Sequence, residues 1–257
     1  LSTAALSIRG APVRAWPPLR EGGQWAIGTA LGLYFTPAVL FDLDGTLLET
    51  VPDLARSAER MLAELRLPSL GEAAVATFVG RGIAVLVERC LKASGRQPDA
   101  AQLDAARAIF ERCYAEESGV RSHPYPGVEE GLRRLADAGL AMGIVTNKAA
   151  RFTDDLVRRM GWEGRFGVVV SGDTLSVRKP DPGPVLHACK ALGVIPAQTL
   201  MIGDSVHDVE AAHAAGCAAW CVPYGYNEGQ PVEALPCERL VPDLAVAAAL
   251  VLDGAAP

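Results

Sequence analysis

From about residue 37 onward, apolar positions follow two rhythms. Short continuous apolar runs, Val39 to Phe41, Leu140 to Val145, Val168 to Val170, Leu200 to Ile202 and Ala218 to Val222, read as strands buried on both faces, as in a parallel sheet. Between them the spacing becomes helical. Leu54, Ala58, Met61, Leu62 and Leu65 fall on one helix face, with Thr50 able to cap the helix and Pro52 near its first turn. Further helices are expected over 72–79, 83–94 and 99–117, divided by Gly80-Arg81-Gly82 and by a breaker from Gly95 to Pro98. A helix over Val128 to Ala138, ended by Gly139, follows the punctuation PYPG. No strand is expected between about 50 and 138. The pattern predicts an α/β fold: a doubly wound parallel-sheet, Rossmann-like core from residues 37–52 and 126–257, with an inserted α-helical cap over 53–125.

Composition narrows the classes. Half of the 257 residues are hydrophobic, 21% are charged and the formal net charge is −6, which describes a soluble globular chain able to bury a large core. No basic stripe offsets the acidic balance, so nucleic acid is not an expected partner. No apolar run approaches the length of a bilayer span, so no membrane is expected either. The six cysteines are scattered without a CxxC pair and are expected to be reduced and packed, as in a cytoplasmic protein. His207 and His213 lie six apart, on different faces of a helix, and are not read as metal ligands. Residues 1–36 carry Arg9, Arg14 and Arg20 against one acid, Glu21. They read as a disordered or extraneous extension, with a targeting peptide as the other reading.

Candidate chemistry enters at the strand ends. In VLFDLDGTLLET, residues 39–50, an apolar strand runs into two carboxylates, Asp42 and Asp44. Asp-Gly after an apolar run is also the strongest short hairpin signal. In an open parallel sheet, however, ligands bind beyond the carboxyl ends of the strands, and the other strands also end in polar groups. They are Thr146 and Asn147 in GIVTN, Lys179 in the loop RKPDP, and Asp204 with Asp208 in LMIGDSVHD. Each has an ordinary reading alone: a capping pair, a solvated charge, an N-cap. Together they point to one shared site. Its carboxylates would repel one another unless cations sat among them. Lys179 supplies one positive charge, and a hard divalent ion, Mg²⁺, suits the remaining oxygen ligands.

FDLDGTLLET, VTN, RKPDP and GDSVHD, in this order, resemble the four motifs of the haloacid dehalogenase superfamily of phosphohydrolases, over roughly residues 38–250. The resemblance implies Asp42 as a nucleophile that forms an aspartyl phosphate, and Asp44 as the general acid and then base. It implies Thr146, Asn147 and Lys179 at the phosphoryl oxygens. Mg²⁺ would be bound by Asp42, Asp204 and the backbone carbonyl of Asp44, with Asp208 acting through water or as an orienter. Glu49-Thr50 stand where Asp-Ser is common in the family, a departure expected to be silent.

The helical insertion between the first two motifs resembles the superfamily's cap placement, which favours a small phosphate monoester as substrate. FVGRGIAVLVERCL (Phe78 to Leu91) and VPYGYNEG (Val222 to Gly229) resemble the phosphoglycolate phosphatases, implying hydrolysis of 2-phosphoglycolate. Arg81, between two glycines, is a candidate to hold that substrate's carboxylate, although Asn often stands there in the family. The alternatives are a sugar-phosphate or nucleotide phosphatase, a phosphomutase resembling β-phosphoglucomutase, and a non-catalytic phosphate-binding module.

Overall fold

The computed structural model describes residues 36–254, so the expectation for residues 1–36 lies outside the described residues except at residue 36. In chain order the strands are β1 (Ala38–Phe41), β2 (Leu48–Glu49), β3 (His123–Pro124), β4 (Ala141–Val145), β5 (Val168–Val170), β6 (Thr199–Gly203), β7 (Ala218–Cys221) and β8 (Arg239–Leu240). Six of them form a sheet in the order β5-β4-β1-β6-β7-β8, every adjacent pair parallel. The chain therefore winds outward from β1 through β4 to β5, then returns to the other side of β1 and continues through β6. That reversal beside β1 is where a doubly wound sheet opens a crevice.

Period-two alternation explains why these strands read as unbroken apolar runs. Val39 and Phe41 of β1, with Leu200 and Ile202 of β6, face α5 (Val128–Asp137) and α9 (Leu244–Leu252) on one side of the sheet. Leu40 and Met201 face α7 (Gly183–Leu192) and α8 (Val206–Ala215) on the other. With both faces covered, every residue of β1, β4 and β6 is buried. Five of the six cysteines are buried too. Among the described residues no helix is long and apolar enough to cross a membrane.

Between β2 and β3 lies a helical block of α1 (Val51–Glu64), α2 (Glu72–Ala76), α3 (Ile83–Ala93) and α4 (Ala100–Glu117). It builds its own apolar cluster around Leu54, Met61, Leu62, Leu86, Leu91 and Phe110. The Asp-Gly sequence makes no hairpin, in line with the strand-end reading, because β1 pairs in parallel with β4 and β6. Several other expectations change here. The helix expected over 72–79 stops at Ala76. The stretch expected to lack strands contains β3, paired antiparallel with β2 where the chain leaves and re-enters the block. Like β8, which was not expected, it is two residues long, too short to leave a periodic signal.

The two crossings are tied together by Asp53, a fully buried carboxylate in the first turn of α1. It accepts hydrogen bonds from the backbone N–H groups of Gly119 (2.9 Å), Arg121 (3.0 Å) and Ser122 (3.0 Å) and from the Ser122 hydroxyl (2.6 Å). A negative charge at a helix N-terminus is favourable, and here it also satisfies three amides of the returning chain. Asp53→Ala should leave those donors unpaired and cost about 2–4 kcal/mol, read as a lower urea midpoint with an unchanged slope.

Candidate active site

The carboxyl ends of β1, β4 and β6 converge on one buried cluster. Asp42 follows β1 directly, and its N–H continues the ladder to the Ile202 carbonyl at 3.0 Å. Asp204 and Asp208 come from the end of β6 and the first turn of α8. One carboxylate oxygen from each of Asp42, Asp204 and Asp208 lies within 4.8 Å of the others. Lys179 enters from the loop after β5 and bridges two of them, its Nζ 2.9 Å from Asp42 Oδ1 and 2.6 Å from Asp208 Oδ1.

The three carboxylates are not equivalent. Asp208 is saturated: besides Lys179 it accepts the N–H groups of Asp204 (3.2 Å) and Ser205 (3.0 Å) and the Ser205 hydroxyl (2.7 Å). Asp204 is oriented by the Thr46 hydroxyl (2.7 Å) and the Tyr226 N–H (2.7 Å). Asp42 Oδ1 has the ion pair with Lys179 but no aligned hydrogen bond. Burial, followed by the charges of Asp208 and Asp42, raises the Asp204 pKa to about 8. Burial also raises Asp42, to about 7, with Lys179 opposing the shift and Asp208 adding to it. Lys179 stays protonated, because Asp208 and Asp42 outweigh the burial that would lower it. Such a cluster fits a divalent cation: three oxygens at metal-sharing distance, one lacking a hydrogen bond, with too little positive charge nearby. Gly45 makes room for it. Its φ is +92°, and a Cβ there would stand 2.5 Å from Asp204 Oδ2.

Asp44 faces a different environment. Its side chain is not among the three grouped carboxylates; it accepts from the Thr50 hydroxyl (2.6 Å) and pairs with Lys148 (3.1 and 3.3 Å). Thr50 therefore stands at the N-cap of α1 without capping it. The Tyr226 hydroxyl accepts the N–H groups of Thr50 (2.8 Å) and Val51 (3.2 Å) in its place. The Glu49-Thr50 departure keeps a hydroxyl where Ser would supply one, and that hydroxyl grips Asp44.

Thr146 is buried at the end of β4, its N–H bonded to the Val170 carbonyl (2.9 Å) and its Oγ1 accepting from the Lys148 N–H (3.2 Å). The hydroxyl proton remains to be donated. Asn147 cannot donate from its side chain to a substrate, because its amide N–H groups already meet the carbonyls of Gly80 and Lys179, both at 3.0 Å. It ties the glycine-flanked loop to the sheet end. A cleft between sheet and helical block is lined by Asp42, Asp44, Thr146, Asn147 and Lys148 below and by Leu54, Val79, Gly80, Gly82, Ile83 and Leu86 above.

Arg81 is the one candidate that the structure does not bring in. It is exposed, and its neighbours, rather than its own side chain, line the cleft. Positive φ at Gly80 (+127°) and Gly82 (+83°) turns the loop backbone toward the site and leaves the guanidinium in solvent. Among the described residues, the cation that lines the cleft is Lys148, which sequence reasoning missed although it directly follows Thr146-Asn147. Tyr226, unassigned within VPYGYNEG, was missed as well.

A family model described as haloacid dehalogenase-like hydrolase matches residues 39–222. The chain is 48% identical over 215 residues to the phosphoglycolate phosphatase of Thiobacillus denitrificans, covering 83% of this chain and 95% of that protein. It is 45% identical, with the same coverage, to the phosphoglycolate phosphatase of Nitrosospira multiformis. Among solved structures, a predicted phosphoglycolate phosphatase from Haemophilus somnus superposes with a TM-score of 0.79 at 32% identity, covering 86% of this chain and 97% of that one. The matched segment opens one residue into β1 and closes just past β7, so it contains the whole carboxylate cluster, both buried lysines and the helical block. The chain belongs to the haloacid dehalogenase-like hydrolase family.

Proposed function

We propose that this chain is a Mg²⁺-dependent phosphatase that hydrolyses 2-phosphoglycolate to glycolate and phosphate. One observation carries the reading: two carboxylates at the end of one strand share a cleft but have different partners. Asp42 lies among Lys179 and the carboxylate cluster, whereas Asp44 lies between Thr50 and Lys148. Different surroundings for paired acids are how a site assigns them different roles.

The Asp42 carboxylate attacks phosphorus, forming an Asp42 Oδ–P bond as the bond from phosphorus to the leaving oxygen breaks. Asp44, protonated in the substrate-bound state, gives that oxygen its proton. Water then attacks the phosphoryl group, Asp44 takes the water's proton, and phosphate leaves with Asp42 restored. Thr146 donates its hydroxyl and Lys179 its charge to the phosphoryl oxygens, while the Asn147 side chain holds Gly80 in place over the reaction. Asp42, Asp204 and the Asp44 backbone carbonyl would hold Mg²⁺, with Asp208 orienting the set. When bound, the ion supplies positive charge against the phosphoryl oxygens and the crowded carboxylates.

The helical block acts as a cap. It lines the cleft with Leu54, Val79, Ile83 and Leu86, and the assignment to 2-phosphoglycolate is supported by the relatives at 45–48% identity, which are phosphoglycolate phosphatases. The test is Mg²⁺-dependent phosphate release from a panel of 2-phosphoglycolate, glucose phosphates, nucleoside monophosphates and 4-nitrophenyl phosphate. A sharp preference for 2-phosphoglycolate supports the assignment. A flat or sugar-favouring profile removes it and leaves family and mechanism in place.

Stability should report the cluster independently of turnover. Without metal, Asp42 and Asp204 have pKa values of about 7 and about 8, above the ordinary 3.8. A carboxylate raised on folding contributes stability below its unfolded pKa and loses it as pH rises through its folded pKa. In EDTA the melting temperature should therefore fall between about pH 5 and about pH 8.5, and added Mg²⁺ should raise it more at the alkaline end. A metal-free melting temperature that climbs with pH over this window would contradict the cluster's protonation.

A further inference from the structure

We propose that Tyr114, on α4 of the helical block, is a positioning residue for Asp44, acting through Lys148. The inference rests on the reading of Asp44 as the acid that protonates the leaving oxygen. It arises from a buried contact that the reaction as described does not use. The Lys148 side chain is 3% exposed; its ammonium lies 3.1 and 3.3 Å from the two Asp44 oxygens and donates to the Tyr114 hydroxyl at 2.6 Å.

Among the described residues, Asp44 has two side-chain partners, Thr50 and Lys148. Thr50 is a short hydroxyl immediately before α1. Lys148 is a long chain with several rotatable bonds, and an ammonium on such a stem follows whichever anion is nearest. Asp42 lines the same cleft, and an incoming phosphoryl group would add a further anion there. A second, immobile partner keeps the ammonium on Asp44.

Tyr114 is immobile. It is fully buried, its ring stacks on Phe110 at 5.8 Å between centroids, and it packs at 4.7 Å and 60° against Phe152 of α6 (Ala150–Arg159). Its hydroxyl is thus placed by helix packing. Both side chains that orient Asp44 are consequently set by the helical block: Thr50 at the block's entry, and Lys148 through α4. When the block is seated the acid is aimed, and a hydroxyl missing at Tyr114 leaves Lys148 only the weaker contact with the ring, 4.7 Å to its centroid, without altering Asp42, Lys179 or the carboxylate cluster.

Tyr114→Phe tests this, because it keeps the ring and its packing and deletes one oxygen. The readout is leaving-group release in a single turnover, which isolates the step that needs the acid. An alkoxide requires a proton as it leaves, whereas 4-nitrophenolate is a stable anion near neutral pH. For 2-phosphoglycolate, or whichever alkyl phosphate the enzyme turns over, the rate constant should fall about tenfold, part of the value of a well-placed general acid. Half-saturation should stay unchanged within about twofold, and release of 4-nitrophenolate should change by less than about twofold. Equal losses on both substrates, or no loss on either, would overturn the proposal and leave Tyr114 a packing residue. Lys148→Met, which cuts the same link from the other side, must show the same selectivity for the alkyl ester. Asp44→Asn separates the two levels of inference. If it fails to distinguish the substrates, the acid assignment itself falls. If it distinguishes them and Tyr114→Phe does not, only the role of Tyr114 falls. In the Asp44→Asn background Tyr114→Phe should have no further effect.

Discussion

Asp42→Asn should lower phosphate release at least about a thousandfold while leaving the chain folded. The amide has the same shape but no nucleophilic carboxylate, and nothing else at the end of β1 can take its place: Asp44 is turned toward Lys148 and Thr50. The substitution also removes one charge from a set of carboxylates whose pKa values burial has already raised. The metal-free protein should therefore not lose stability at alkaline pH, even though Lys179 retains only Asp208 as an anionic partner. Phosphate release and a melting curve measured on the same sample check both halves. Activity within tenfold of the parent would place the nucleophile elsewhere.

Gly225→Ala should damage the same site from behind, without touching any group that reacts. A Cβ at Gly225 would stand 2.1 Å from Asp204 Cβ and 2.3 Å from its Oδ2. Asp204 cannot simply rotate away. Thr46 and the Tyr226 N–H hold its two oxygens, and Gly45 closes the other side, where even a methyl group has no room. The backbone must shift instead, moving a proposed metal ligand. The expected result is at least a tenfold higher Mg²⁺ requirement and saturated activity lower by about a hundredfold, the scale of a misplacement near 1 Å. The accompanying stability loss should be about 1–3 kcal/mol. A normal Mg²⁺ titration would show that the position of Asp204 is not set by this contact.

These two variants divide along the line between chain and fold. Asp42 could be found without a structure, because a charge at the end of an apolar run is costly unless chemistry needs it, and polar groups recur at the other strand ends, at Thr146 and Asp204, with Lys179 in the loop after β5. Strand positions were readable for a related reason: burial on both faces forces continuous apolar runs, as in β1 and β6. Gly225 leaves no comparable mark, since its requirement lies in an atom 21 residues away in the chain.

Arg81 shows the opposite failure. A cation between glycines is a reasonable anion ligand until the backbone torsions of Gly80 and Gly82 are known. Lys148 reads as one more charge after a polar pair until Asp44, 104 residues earlier, is seen beside it. Tyr114 sits at helical spacing from Phe110 and reads as core, which it is; only its hydroxyl does something else. Asp53 reads as a charge in a first turn, and becomes the tie between two crossings once the chain returns past it. Apolar periodicity and motif order are local properties, so the chain alone carries the layering of the sheet and the residues at its strand ends. Which buried donor meets which acceptor depends on long-range approach, so the partners of Asp44, the bracing of Asp204 and the exposure of Arg81 came from the folded arrangement.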